Sequence, residues 1–79
     1  MTVTVYVKPN CPACVATKRK LKDLGVDFDE QPIDEDVLTR AQAAGITAAP
    51  VIEAVGFAPF GGYRPDRLAE IANVALAAA

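Results

Sequence analysis

The segment from Lys8 to Cys14 reads Lys-Pro-Asn-Cys-Pro-Ala-Cys and contains both cysteines of the 79-residue chain. Before it, residues 2–7 are all β-branched or aromatic, with valine at every second position, which predicts a strand. After it, Pro12 suits a first helical turn because its missing N–H needs no partner there. An apolar stripe then continues to Gly25, a natural helix stop. The cysteine pair is therefore predicted to lie where a strand passes into a helix.

The next stretch predicts a second strand and a second helix. Residues 26–30 alternate apolar and acidic side chains, as a half-buried strand does. A helix is predicted over residues 35–44, with Asp34 as its cap, acids in its first turn and Gly45 at its end. The order strand, helix, strand favours a right-handed parallel crossover.

The last third of the chain predicts two more strands and a third helix. The third strand covers residues 50–55, Gly56 makes a turn, and a short fourth strand covers residues 57–60. Pro59 places that strand at an edge of the sheet, because proline cannot donate to a ladder. The last helix begins at Pro65, and its apolar positions follow helical spacing: Leu68, Ile71, Ala72, Ala75 and Leu76. The sequence thus predicts an α/β protein of order βαβαββα, a four-stranded mixed sheet flanked by three helices.

Composition and charge exclude several classes of function. A chain with 52% hydrophobic and 23% charged residues fits a single domain over residues 1–79, which leaves no second domain to enclose a substrate cleft. Histidine is absent, which removes the usual general base and every imidazole metal ligand. A net charge of -2 offers no field for nucleic acid or an anionic membrane.

The location expected from the sequence is the cytosol. The first residues have no signal-peptide core, and no apolar run approaches a membrane span of about 20 residues. Thiols stay reduced in the cytosol, where an isolated cysteine pair is more often catalytic or metal-binding than structural. We expect a monomer.

Cys11 and Cys14 indicate disulfide exchange. At the start of a helix, the unpaired N–H groups stabilise a thiolate, and Lys8 is close enough in sequence to add a positive charge. We assign Cys11 as the attacking thiolate and Cys14 as the resolving thiol of a thiol–disulfide oxidoreductase that acts as an electron carrier. Two alternatives remain: an incidental or structural pair, or a metal site, in which two thiolates would need further ligands from a second chain.

Three motifs together resemble the glutaredoxin branch of the thioredoxin superfamily: residues 8–14, the dipeptide Ala49-Pro50 before a strand, and Gly61-Gly62-Tyr63-Arg64-Pro65-Asp66. The last motif, with Phe60 before it, is similar to that of the NrdH-redoxins. This resemblance implies a thioredoxin fold, electrons received from NADPH through thioredoxin reductase, and class Ib ribonucleotide reductase as the acceptor in deoxyribonucleotide synthesis. No bound cofactor and no metal are needed.

The resemblance also implies which residues contact a partner: Lys8, Pro12, Ala13, Ala49, Pro50, Phe60, Gly61, Gly62, Tyr63, Arg64, Pro65 and Asp66. It implies a cis bond at Ala49-Pro50 that faces the cysteines. Pro12-Ala13 departs from NrdH-redoxins towards glutaredoxins, so a glutathione-dependent glutaredoxin is the alternative function. Glutaredoxins bind the γ-glutamyl end of glutathione at the start of the last helix, where Arg64 and Pro65 here disfavour that ligand.

The aromatic residues divide into two groups. We predict that Tyr6, Phe28 and Phe57 belong to the core. Phe60 and Tyr63 flank the two glycines, and we predict that they line a groove beside the cysteine pair.

Overall fold

The computed structural model describes residues 2–77, and these residues form seven elements. In chain order they are β1 (Val3–Val7), α1 (Pro12–Asp23), β2 (Asp29–Pro32), α2 (Glu35–Ala43), β3 (Val51–Ala54), β4 (Phe60–Gly61) and α3 (Pro65–Ala77). This order confirms the predicted fold class. Within residues 2–77, no helix combines the length and the apolar character that crossing a membrane requires.

The strands form one mixed sheet in the order β2-β1-β3-β4. β2 runs parallel to β1, with Glu30 opposite Val5, and β3 runs antiparallel on the other side, with Ile52 opposite Val5. β4 pairs antiparallel with β3 and lies at the edge, as the proline before it predicted.

The helices cover both faces of the sheet because successive side chains of a strand point to opposite faces. On one face, Val5 belongs to the main core with Leu21 of α1 and Leu68 of α3. On the other face, Tyr6 packs against a smaller core that contains Val37 of α2. The cysteine pair lies at the start of α1, after the loop that follows β1.

The second strand begins three residues later than predicted, since β2 comprises Asp29–Pro32 and not residues 26–30. The cause is the end of α1. Gly25, with φ of 77°, donates its N–H to Lys22 O at 3.0 Å, and Val26 donates to Leu21 O at 2.9 Å. These two bonds form a Schellman motif, so Val26 completes the helix end and cannot start a strand.

The fourth strand also lies later than predicted, at Phe60–Gly61 and not over residues 57–60. Phe57 donates its N–H to Ala54 O at 3.0 Å and thereby closes a turn that contains Gly56 at φ of 86°. Pro59 has no N–H to donate, so pairing with β3 begins only at Phe60.

The core differs from the sequence pattern in two ways. Leu76 is 53% exposed, although its spacing on α3 matches that of buried Leu68 and Ile71. The aromatic rings of Tyr6, Phe28 and Phe57 are only half-buried and pack against the edges of the two cores. In a domain this small, the cores are filled mainly by aliphatic side chains.

Candidate functional site

The cysteine pair is positioned by the loop between β1 and α1. Asn10 has φ of 56°, in the left-handed region that asparagine tolerates better than most residues. This conformation turns the chain so that Cys11 becomes the N-cap of α1. Pro12 follows as the first helical residue, as predicted.

The two cysteines form a disulfide, with their Cα atoms 5.2 Å apart. Their environments differ. Cys14 is 3% exposed, whereas Cys11 is half-buried and its Sγ accepts a hydrogen bond from the Cys14 N–H at 3.1 Å. A thiolate on Cys11 would therefore meet both a backbone donor and the positive end of the helix.

A hollow of about 540 Å³ opens at the cysteine pair. Both cysteines line it, and its charged side chains are Lys8, Lys18 and Glu30. Lys18 Nζ and Glu30 Oε2 form an ion pair at 3.1 Å that joins α1 to β2. Sequence reasoning missed this pair, although Lys18 stands four residues after Cys14 and therefore on the same face of α1.

The Ala49-Pro50 bond is cis, in agreement with the resemblance. Pro50 is fully buried, and its carbonyl accepts a hydrogen bond from the Gly62 N–H at 3.0 Å. Gly61 has no room for a side chain, because a Cβ there would collide with Ala48 O and with Cγ2 of Ile46. The two glycines thus allow β4 to lie directly against the segment that contains the cis-proline.

At the start of α3, an ion pair joins Arg64, the residue before the helix, to Asp66 in its first turn, with Nη2 and Oδ2 3.5 Å apart. Desolvation, the largest single influence, raises the pKa of Asp66, but hydrogen bonds from the Arg67 backbone and the Arg64 side chain outweigh it. The net pKa of this carboxyl is therefore below its ordinary value.

The other predicted partner-binding residues lie in different surroundings. Tyr63 is 41% exposed and lines a groove along α1 with Pro12 and Val15, beside the cysteine pair. Phe60, by contrast, is 7% exposed and belongs to the main core, where the Arg67 guanidinium lies 5.4 Å from its ring centroid.

A second groove lies near the cis-proline, lined by Lys8, Ala49 and side chains of α2. Ala13 is half-buried in the first turn of α1. Within residues 2–77, no three His, Cys, Asp or Glu side chains are placed together as metal ligands would be.

Comparison with known proteins agrees with this geometry. A family model described as Glutaredoxin matches residues 3–55, which include both cysteines and the cis-proline. The chain is 43% identical over 72 residues to the glutaredoxin-like protein NrdH of Lactococcus lactis subsp. lactis, covering 89% of this chain and 99% of that one. It is 33% identical over 70 residues to the glutaredoxin-like protein NrdH of Escherichia coli, covering 86% and 85%. Its fold matches that of the glutaredoxin-like NrdH-redoxin from Escherichia coli with a TM-score of 0.80 at 30% identity, over 90% of this chain and 95% of that chain.

Proposed function

Because the chain belongs to the glutaredoxin family, and within it to the glutaredoxin-like NrdH proteins, we propose that it carries electrons from NADPH, through thioredoxin reductase, to a protein disulfide. The proposed acceptor is the disulfide of class Ib ribonucleotide reductase. The proposed compartment is the cytosol, where a carrier of this kind stays reduced.

The proposed reaction needs only the two cysteines. The Cys11 thiolate attacks one sulfur of the acceptor disulfide, which forms a mixed disulfide and releases the other acceptor sulfur as a thiolate that takes up a proton. Cys14, as a thiolate, then attacks Cys11 Sγ, and the bond between Cys11 and the acceptor breaks. The acceptor gains two electrons and two protons in all, and the carrier is left with the Cys11–Cys14 disulfide. Cys11 is half-buried whereas Cys14 is 3% exposed, and this difference in accessibility supports the proposed order of attack.

The choice of thioredoxin reductase over glutathione is supported by the first turn of α3. A glutathione molecule bound there in the glutaredoxin manner would bring its ammonium group towards a carboxylate. Here that carboxylate, Asp66, is already paired with Arg64, whose positive charge repels an ammonium group. Pro65, the first residue of α3, also lacks the N–H that would bind the ligand's carboxylate. A lost charge-assisted hydrogen bond costs about 1.5–3 kcal/mol, which is roughly tenfold to a hundredfold or more in affinity.

The NrdH-redoxin from Escherichia coli, which shares this fold, has a thioredoxin-like activity profile.

A reductase assay tests this proposal directly. The oxidised protein is incubated either with NADPH and thioredoxin reductase or with NADPH, glutathione and glutathione reductase, and NADPH consumption is followed. We expect turnover with the first system and little with the second. Arg64→Gln provides the matched variant, because it removes the repelling charge and should increase turnover with glutathione. Efficient turnover with glutathione, and none with thioredoxin reductase, would identify a glutaredoxin instead.

A further inference from the structure

We propose that Lys18, held in place by Glu30, is a positioning residue that favours the thiolate form of Cys14 in the resolving step. This inference rests on the proposed roles of the two cysteines. It concerns the second attack of the cycle, for which the burial of Cys14 presents a physical problem.

The problem is the poor hydration of a buried thiolate. Cys14 is 3% exposed, and removal from water raises the pKa of a thiol because it disfavours the charged form. The partial positive charge of the helix N-terminus stabilises a thiolate mainly on Cys11, which caps the helix, because Cys14 lies one turn further in. A positive charge near Cys14 would restore part of the lost stabilisation.

Lys18 is placed to supply that charge. It follows Cys14 by four residues on α1, a spacing that brings two side chains to one helix face with Cβ atoms about 5–6 Å apart. Both residues line the same hollow. The Lys18 side chain is 29% exposed and Glu30 fixes its ammonium group at 3.1 Å, so the charge is held at the hollow instead of extending into water.

The other charged groups around the cysteine pair are less well placed than Lys18 to stabilise a thiolate on Cys14. Lys8 also lines the hollow, but it precedes Cys11 in the loop and is exposed. Glu30 is the hollow's carboxylate, on β2, and it is engaged by Lys18. At the start of α3, Arg64 is paired with Asp66, and Tyr63 lines the neighbouring groove.

The resolving step can be measured by mixing the reduced protein with one equivalent of the aromatic disulfide DTNB. Attack by Cys11 releases one coloured thiol in a phase whose rate depends on concentration. Attack by the Cys14 thiolate on Cys11 Sγ then breaks the mixed disulfide and releases the second thiol in an intramolecular phase. Stopped-flow absorbance across pH therefore gives a separate pH profile for each cysteine.

Lys18→Gln should change the second phase in a way that depends on pH. Loss of the positive charge should raise the pKa of Cys14, so fewer thiolates form below that pKa. A roughly tenfold loss of thiolate, partly offset by the greater nucleophilicity of a more basic thiolate, slows the second phase about threefold to fourfold. Above the pKa, the second phase becomes about threefold faster, because a more basic thiolate is a better nucleophile. This crossover is specific to a change in thiol pKa, whereas a structural defect would slow the phase at every pH.

Two further variants complete the experiment. Lys22→Gln removes the same charge from an exposed site on α1 outside the hollow and should leave the second phase unchanged. Lys18→Arg keeps a cation and should retain most of the native profile. A second phase in Lys18→Gln that follows the native pH profile, or an equal change in both phases, would overturn this inference. If Cys14→Ser instead loses the first phase, the proposed roles of the cysteines are wrong, which is a separate result.

Discussion

The difference between the two sulfur atoms is the central feature of the site at the scale of single residues. Cys11 Sγ caps α1 and is half-buried, whereas Cys14 is 3% exposed. We therefore expect Cys11→Ser to abolish disulfide exchange, because the accessible nucleophile is lost. Cys14→Ser should still attack and should accumulate a mixed disulfide, because nothing resolves it. Mass spectrometry of each variant after reaction with an excess of a disulfide peptide measures the adducts.

Each serine variant is the control for the other, since each retains one of the two thiols in an otherwise native chain. Stable adducts on Cys14 in the Cys11→Ser variant, with none on Cys11 in the Cys14→Ser variant, would reverse the two roles. An equal yield of adducts on both cysteines would contradict the claim that burial separates them.

The identity of the redox pair could be predicted from sequence because its chemistry depends on neighbouring residues. The spacing of Cys11 and Cys14, and the proline between them, fix the helix start and the closeness of the sulfurs without reference to the rest of the fold. The ion pair of Lys18 with Glu30 could not be predicted, because it depends on the register of β2 against β1. The same is true of Phe60, whose burial is set by α3 packing over the sheet.

At the scale of elements, the strand boundaries are the features that the sequence pattern predicted least well. Residues 26–30 do alternate, but Val26 could belong either to the end of α1 or to the start of a strand. Its Schellman hydrogen bond to Leu21 O places it at the helix end. The same motif ends α2, where Gly45 donates its N–H to Gln42 O and Ile46 donates to Ala41 O. In both helices, the apolar residue after the glycine belongs to the helix cap and not to the segment that follows.

The contact of β4 with the cis-proline segment predicts a stability effect at Gly61. In Gly61→Ala, the new Cβ would collide with Ala48 O and Ile46 Cγ2, so the backbone must move. Overpacking of this kind costs about 1–3 kcal/mol of folding free energy. We also expect slower disulfide exchange, because the displaced segment leads into Pro50. Urea unfolding and an exchange assay measure the two effects.

Gly56→Ala is the matched control for Gly61→Ala. Gly56 has φ of 86°, so alanine there is strained, but open space surrounds its position in the turn before β4. This variant should lose stability through backbone strain and keep the native rate of exchange. If Gly61→Ala retained both native stability and native exchange, the proposed contact would not constrain the site.

The attachment of α2 to the sheet predicts a pH effect on stability. Arg40 donates from Nε and Nη2 to the two oxygens of Glu53 on β3, both at 3.2 Å. The hydrogen bonds from Arg40 hold the pKa of Glu53 below its ordinary value of 4.5. A carboxyl whose pKa is lower in the folded state adds stability above its unfolded pKa and loses that contribution as pH falls through the folded pKa. Glu53→Gln should therefore lower Tm by a few degrees at pH 7, and the difference should shrink at pH 3.

The control for this pH effect is Glu70→Gln, which removes an exposed carboxylate on α3. Its Tm should stay close to the native value at both pH values. Added salt should weaken the effect of Glu53→Gln, because both partners of the ion pair are partly exposed. A Tm difference that is the same at both pH values would show that packing, and not charge, explains the loss.

At the scale of the whole molecule, the fold brings the redox pair and its neighbours to one end of the sheet. The loop from β1 to α1, the cis-proline before β3 and the start of α3 come from three separate parts of the sequence. The parallel crossover through α1 and the antiparallel pairing of β3 with β1 and β4 place them together. Each of these parts carries a motif that is visible in the sequence, but the contacts between them depend on the sheet order.

The composition of the whole chain also leads to a prediction about metals and assembly. Zinc and iron–sulfur clusters commonly require four protein ligands, and one chain supplies two thiolates and no histidine. We therefore expect the purified, reduced protein to contain no stoichiometric metal and to elute as a monomer of about 8.3 kDa. Elemental analysis combined with light scattering of the eluted protein measures both quantities on one sample. The control is the Cys14→Ser variant, which should give the same metal content. One metal ion for every two chains, lost together with the dimer in that variant, would contradict this prediction and would favour a shared metal site over a thiol carrier.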